Sequence, residues 1–164
     1  MARNNMDIAS KKSPASGPNR NRLRLMQSLI KASWIWKNVK YGWSDKNEKE
    51  FVQAVKAFQQ FTFTDSNTGK TLKYNLYIPK DYDGNKSYPL VLFIPDAAAV
   101  SNYPRMTLIQ GLGGVIWATP SEQAKHACFV LAPQYSTVIV NDHSEATRDL
   151  DATVALVKAL TGQY

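Results

Sequence analysis

The sequence predicts an α/β fold in which a mainly parallel sheet begins with an antiparallel hairpin. Two alternating segments surround an Asn/Gly turn, two later runs are apolar on both faces, and helical periodicity lies between and after those runs. The first pattern is typical of a hairpin, the second of strands covered on both sides, and the third of the covering helices. At 164 residues and 44% apolar content, the chain has the size and composition of one globular domain.

Two segments precede the predicted sheet. Residues 1–21 are polar and rich in Ser, Asn, Pro and Lys, which predicts a disordered basic leader. Residues 22–59 predict an N-terminal helical segment, whose second part has Ser44 or Asp45 as its cap. The apolar face of that second part comprises Phe51, Val52, Val55 and Phe58. Residues 60–164 then form the main domain.

The net charge of +7 is concentrated near the N-terminus. Residues 1–50 hold 11 basic and 4 acidic residues, whereas residues 51–164 hold 9 of each. A basic arm can contact nucleic acid or an anionic membrane, but we favour a solvated arm and expect no nucleic-acid partner. No run approaches the roughly 20 apolar residues of a membrane span, so we expect no transmembrane segment. Because no secretory leader is evident, a cytoplasmic and a secreted location both stay open.

The hairpin is predicted from residues 61–64 and 71–78, which alternate around the turn at 65–69. One face of the second strand carries Leu72, Tyr74, Leu76 and Ile78. The turn contains Asn67, Gly69 and Lys70 in an order similar to the end of a phosphate-binding loop. We reject that interpretation because the first glycine of the motif is missing and no helix follows the turn.

The runs 88–94 and 127–132 are each followed by proline, and both predict central strands. The second run contains the only cysteine, Cys128, which predicts a buried structural thiol and excludes an internal disulfide. Between the runs, residues 106–125 predict a crossover helix broken by glycines. Residues 144–161 predict a last helix that is capped by Ser144.

The histidines do not form a recognisable catalytic or metal site. Asp142, His143 and Ser144 include the three residue types of a hydrolytic triad, but adjacent residues cannot form its relayed geometry. A loop that ends in a helix cap is the favoured interpretation. His126 has no second ligand at metal-binding spacing, so we expect a surface histidine, no metal and no cofactor.

The turn after the first central run is the candidate site. It consists of Pro95, Asp96, Ala97 and Ala98 at the C-terminal edge of a parallel strand, where open α/β sheets bind ligands. Small residues let backbone N–H groups approach a substrate oxygen, and in acyl transfer such groups stabilise the oxyanion. From the residues alone, an ordinary strand-to-helix turn is the favoured interpretation.

Four segments together favour a functional turn over an ordinary one. They are residues 73–79 (KYNLYIP), 88–97 (YPLVLFIPDA), 117–118 (WA) and 129–134 (FVLAPQ). In order and spacing they resemble the N-terminal half of the polyhydroxybutyrate-depolymerase-like and feruloyl-esterase-like α/β-hydrolases. The resemblance covers about residues 60–164. It implies a three-layer sandwich and serine ester hydrolysis.

The resemblance also implies a role for the turn. It makes Ala97, with Ala98 beside it, the candidate backbone donor of an oxyanion hole, and Pro95 and Asp96 part of the lining. Members of the family usually have His-Gly or His-Asp before the small residue, whereas this chain has Pro95 and Asp96.

In such enzymes the last helix leads to another strand and then to Gly-x-Ser-x-Gly, the nucleophile elbow. That motif is absent from the 164 residues, so no residue of this chain is assigned as nucleophile, acid or base. We therefore expect a partial hydrolase fold that is inactive alone: a fragment, a truncated reading frame or one chain of a split protein. Ester substrate would bind only when a C-terminal half completes the fold.

A partial sheet has a consequence for assembly. The predicted sheet ends at residues 127–132, whose outer edge would lack a partner, and we expect homo-oligomers to form through this open edge. The alternative to a hydrolase lineage is a non-catalytic module that self-associates or binds an anionic partner with the basic arm.

Overall fold

A computed structural model describes residues 45–164, so the predicted leader at 1–21 and residues 22–44 of the helical segment lie outside the described range. The helices are α1 (Asp45–Ala57), α2 (Met106–Ile109), α3 (Pro120–Gln123) and α4 (Arg148–Gln163). The strands are β1 (Gln59–Thr64), β2 (Thr71–Tyr77), β3 (Leu90–Leu92) and β4 (Phe129–Gln134). Short 3-10 turns lie at Ala97–Ala99 and Ile116–Ala118. The predicted domain boundaries stay predictions.

The four strands form one mixed sheet in the order β1-β2-β4-β3. Strands β1 and β2 are antiparallel, which confirms the predicted hairpin. Strand β2 also runs antiparallel to β4, and only β3 and β4 are parallel. The expectation of a mainly parallel sheet is therefore wrong for the described residues, because the hairpin itself pairs with the parallel part.

Strand β4 occupies the centre of the sheet, and β3 lies at its edge. All six residues of β4 are buried, whereas Leu92 in β3 is 36% exposed and Ile94 just after it is 43% exposed. The predictions that β3 is central and that β4 has the open edge are thus both wrong. The crossover from β3 returns the chain to the inner side of β3, next to β2, so the spatial order differs from the sequence order.

The core lies on both faces of β4. Val130 and Ala132 belong to a cluster with α1, and Phe129 and Leu131 belong to a cluster with α4. The first cluster includes Phe51, Ala54 and Val55 from α1 and Phe58 directly after it, and the second includes Leu156 and Leu160 from α4. Alternate residues of a strand point to opposite faces, so α1 and α4 cover opposite sides of the sheet.

The crossover between β3 and β4 contains no long helix. Only α2, a 3-10 turn and α3 occur where one glycine-broken helix was predicted over residues 106–125. A Cβ on Gly113 would come within 2.4 Å of the Phe93 ring, and one on Gly114 within 2.8 Å. The glycines therefore let the crossover pass directly over Phe93, and the close passage replaces a regular helix.

The last helix begins later than predicted. Ser144 has a φ of 63° and lies in the loop before α4, so it is not the helix cap. The residue at the cap position is Thr147, whose side chain makes no capping hydrogen bond. A left-handed conformation at Ser144 turns the chain toward a bridge between Val140 and Ala146, which closes this loop.

Candidate active site

A cleft of about 190 Å³ lies where β3 and β4 end. One wall is the turn after β3, with Pro95, Asp96, Ala97 and Val100. The other wall is the loop after β4, comprising Tyr135, Thr137, Val138, Ile139 and Val140. The structure thus brings three of the four predicted turn residues to one cleft, and Ala98 is not part of its lining. The cleft lies at the carboxyl ends of the parallel strands, where open α/β sheets bind ligands.

Asp96 organises the turn. It has an extended backbone (φ −74°, ψ 175°) and caps the 3-10 turn, and its Oδ1 accepts a hydrogen bond from the Ala98 N–H at 2.7 Å. The carbonyl oxygen of Asp96 also accepts from the Ala99 N–H at 3.1 Å. Because the Ala98 N–H is engaged by the Asp96 side chain, it donates to a ligand only if that side chain moves.

Ala97 differs from Ala98 in having an available donor. Within residues 45–164, no hydrogen-bond acceptor is assigned to the Ala97 N–H, and the residue is exposed. This N–H borders the cleft and can donate to the oxygen of a small ligand. The nearby Asp96 carboxylate works against a negative charge at this position, whether the charge belongs to a bound anion or develops during a reaction.

The opposite wall is held by the first turn of α4. Asp149 is 2% exposed, and its Oδ2 accepts a hydrogen bond from the Thr137 hydroxyl at 2.9 Å. Its Oδ1 lies 3.1 Å from the Lys70 ammonium, in the geometry of an ion pair rather than a directed hydrogen bond. A carboxylate in the first turn also interacts favourably with the helix dipole. Asp149 therefore joins the hairpin turn, the β4 loop and α4.

A second contact holds the same loop. The hydroxyls of Tyr135 and Thr153 are 3.0 Å apart, and Thr153 donates to the backbone carbonyl of Asp149 at 2.6 Å. Burial raises the pKa of Tyr135, so its phenol stays neutral. Asp149 was not among the residues predicted from the sequence, although a signal for it was present. Asp149 shares helical spacing with Thr153 and Leu156, so a charged residue stands on the buried face of α4.

The remaining candidate residues do not converge on the cleft. Asp142, His143 and Ser144 are all exposed, and Asn141 holds their loop by accepting from the His143 N–H at 3.0 Å. His126 is exposed as well. Over the described range, no cluster of three or more His, Cys, Asp and Glu residues could hold a metal ion. None of the helices in that range is long and apolar enough to cross a membrane.

A larger cleft of about 230 Å³ lies elsewhere, at the start of β3 and β4. Its lining includes Tyr88, Leu90, Phe129 and Tyr164. Its size alone does not make it the stronger candidate, because it lies at the amino ends of the parallel strands. The smaller cleft has the favourable position in the fold and the available backbone donor.

Comparison with known proteins is informative for the fold. No family model and no curated protein matches the sequence. Among solved structures, the chain is similar to a protein described as a thermostable esterase, with 32% sequence identity and a TM-score of 0.64. The match covers 68% of this chain but only 31% of the esterase, so this chain spans about a third of that protein. The similarity shows an esterase-like fold and supports a hydrolase-like lineage for this chain.

Proposed function

We propose that this chain is the oxyanion-hole side of a serine ester hydrolase with the three-layer sandwich of that class. The observation that carries the proposal is the available N–H of Ala97, in a cleft at the carboxyl end of β3. The esterase-like fold supports the same reaction class. In ester hydrolysis, attack on the carbonyl carbon places a negative charge on the carbonyl oxygen, and a positioned N–H stabilises that charge.

The nucleophile has to come from outside these 164 residues. They contain no Gly-x-Ser-x-Gly, and the structure leaves the outer edge of β3 without a strand partner in the described range. A further parallel strand on that edge would end level with β3, because parallel neighbours share their carboxyl edge. The turn after it would then lie beside Ala97, which is where the attacking serine is needed.

The isolated chain should accordingly lack esterase activity. We expect no hydrolysis of p-nitrophenyl acetate above the buffer rate, and no serine labelled by a fluorophosphonate probe, as read by mass spectrometry. Turnover that persists through repeated purification, together with labelling of a serine in residues 45–164, would contradict the proposal.

The donor can be tested in a completed protein, produced from this chain and a C-terminal half that carries the Gly-x-Ser-x-Gly motif. Ala97→Pro removes the N–H, and Asp96 already has the extended backbone that a following proline requires. Proline is also tolerated at the first position of a helical turn. Ala97→Ser keeps the N–H and is the matched control.

We expect Ala97→Pro to lower kcat by roughly 100-fold, the effect of losing one oxyanion donor, with thermal stability unchanged. Ala97→Ser should retain most of the activity. Equal kcat values for the proline and serine variants would exclude Ala97 as the donor. A completed protein without any ester turnover would exclude the reaction itself.

A second candidate function is self-association, for which the exposed edge of β3 is the specific observation. Leu92 and Ile94 are 36% and 43% exposed next to unpaired strand edge, a combination that favours strand pairing between copies. Sedimentation velocity should show a dimer or larger species at micromolar concentration, and Leu92→Lys should shift it to monomer. A wild-type monomer at that concentration would remove this candidate.

The other alternative, an anion-binding basic arm, lies outside the described residues. It can be tested by measuring RNA binding at increasing salt concentration, since an electrostatic contact weakens as salt rises.

A further inference from the structure

Gln134 is a buried polar residue at the end of β4. It is 5% exposed, and its side chain takes part in four hydrogen bonds. Its Nε2 lies within hydrogen-bond distance of the carbonyl oxygens of Ala99 at 2.8 Å, Tyr135 at 3.0 Å and Ser101 at 3.2 Å, so one of its two N–H groups is shared between two carbonyls. Its Oε1 accepts from the Thr107 N–H at 2.9 Å. A buried amide with both ends satisfied is a strong structural constraint, because breaking any of these contacts leaves a buried polar group unpaired.

These contacts converge on the segment that follows the candidate turn. Ala99 is the last residue of the 3-10 turn that begins at Ala97, and the Val100 N–H donates back to the Ala97 carbonyl at 3.2 Å. The Ser101 N–H also donates to the Tyr135 carbonyl at 2.9 Å, directly beside Gln134. The far end of the turn is thus anchored to the central strand, while its near end continues from the edge strand β3.

We infer that Gln134 is a positioning residue that fixes the Ala97 N–H relative to the cleft, by holding Ala99 and Ser101 against the end of β4. The catalytic meaning of this role rests on the proposed function, but the positioning itself is measurable without substrate. Without the Gln134 side chain, the turn would be held only by the short edge strand β3 and by the backbone hydrogen bond from Ser101 to Tyr135. Glutamine suits the site because its amide supplies two N–H donors for the surrounding carbonyls and one oxygen that accepts from the Thr107 N–H.

Two substitutions separate the donor role from the acceptor role. Gln134→Glu keeps the size and an acceptor oxygen for Thr107 but replaces the donor by an oxygen facing the carbonyls. Gln134→Met fills a similar volume and removes both roles. The matched control is Gln123→Glu, since Gln123 makes a comparable amide clamp at the other end of β4, from Nε2 to the carbonyls of Trp117 and Cys128.

The measurement is amide hydrogen exchange by NMR on the full chain. In Gln134→Glu, exchange of the Ala99, Val100 and Ser101 amides should rise roughly tenfold or more, as expected for about one lost buried hydrogen bond, while Thr107 keeps its protection. In Gln134→Met, Thr107 should lose protection as well. The Ala97 amide should change its chemical shift in both Gln134 variants and keep it in Gln123→Glu.

The outcomes are distinguishable from a general loss of stability. Equal acceleration at the core amide of Val130 would indicate global unfolding and overturn the positioning role, as would unchanged turn amides in Gln134→Met. If Gln134→Glu does not fold, the Gln134→Met variant alone decides whether the loss of protection is confined to the turn or is global. In the completed protein, a fall in kcat with little change in KM would extend the role to catalysis. Altered exchange without any esterase activity would instead leave the positioning role intact and reject the proposed function.

Discussion

Strands β3 and β4 look alike in the sequence and have opposite roles in the structure. Both are short apolar runs followed by proline, yet every residue of β4 is buried while β3 exposes Leu92 and then Ile94. Strand β4 joins the two core clusters, and β3 carries the candidate turn. Two neighbouring strands therefore divide the roles: β4 contributes most to the core, and β3 leads to the candidate site. The buried central strand supports the edge strand, and the candidate turn at the end of the edge strand stays accessible.

Truncating an apolar residue in each strand is the strongest test of this division. We expect Leu131→Ala to lower the free energy of unfolding by about 3 kcal/mol, because it leaves a cavity at a residue with no exposure. Leu92→Ala should cost about 0.5 kcal/mol, since a third of that side chain already contacts water. Urea denaturation followed by circular dichroism measures both. Similar losses for the two variants would mean that β3 is covered in solution.

A smaller effect is expected where α4 meets the loop after β4. Asp149→Ala removes the ion pair with Lys70 and leaves the Thr137 hydroxyl unpaired, which should cost about 2 kcal/mol. Asp151→Ala is the matched control, because Asp151 is an exposed acid in the same first turn. The Asp151→Ala variant keeps the contacts of Asp149. It loses only the weak interaction of the Asp151 carboxylate with the helix dipole, about 0.5 kcal/mol. Equal losses would reduce Asp149 to a helix-dipole residue.

Much of this fold could be predicted from the sequence, for reasons visible in particular residues. The hairpin is encoded locally, by the alternation of Leu72, Tyr74 and Leu76 and by the Asp65–Gly69 turn, and the structure contains it. Helix α1 was predicted from the spacing of Phe51, Val55 and Phe58. Both signals are short in range, so no knowledge of distant contacts was needed.

The strand order and most of the site could not be predicted, because they depend on contacts between distant segments. Burial of β4 results from pairing with both β2 and β3, which its composition does not reveal. Gln134 reaches Thr107 and Ala99 across more than 25 positions of sequence, and Lys70 reaches Asp149 from the hairpin turn. The turn at Ala97 could be proposed as a site because its position after an apolar run is a local signal, to which the resemblance added a role. The residues that hold this turn have no such local signal.

The smallest effect is expected in the hairpin turn at residues 65–70, which positions Lys70 and so supports the loop after β4 from outside the sheet. The Asp65 carboxylate accepts from the Thr68 hydroxyl at 2.6 Å and from the Asn67 N–H at 3.1 Å, and the Asp65 N–H donates to the Lys70 carbonyl at 2.9 Å. The Thr68 hydroxyl, followed by the Asn67 N–H, holds the pKa of Asp65 below its usual value. Because the folded-state pKa is the lower one, the carboxylate stabilises the fold above the unfolded value of about 3.9.

That contribution disappears as the pH falls through the folded-state pKa. Thr68→Val removes the largest cause, so it should raise the pKa of Asp65, as measured by NMR titration of the carboxyl carbon, and narrow the stability difference between pH 7 and about pH 3. Thr64→Val is the control, because the Thr64 hydroxyl contacts Thr71 at 3.1 Å and not Asp65. An Asp65 pKa that shifts equally in both variants would assign the effect to the strand and not to the turn. A selective shift would show that the support of the β4 loop through Lys70 begins with a charge-dependent turn, outside the strands that form the core.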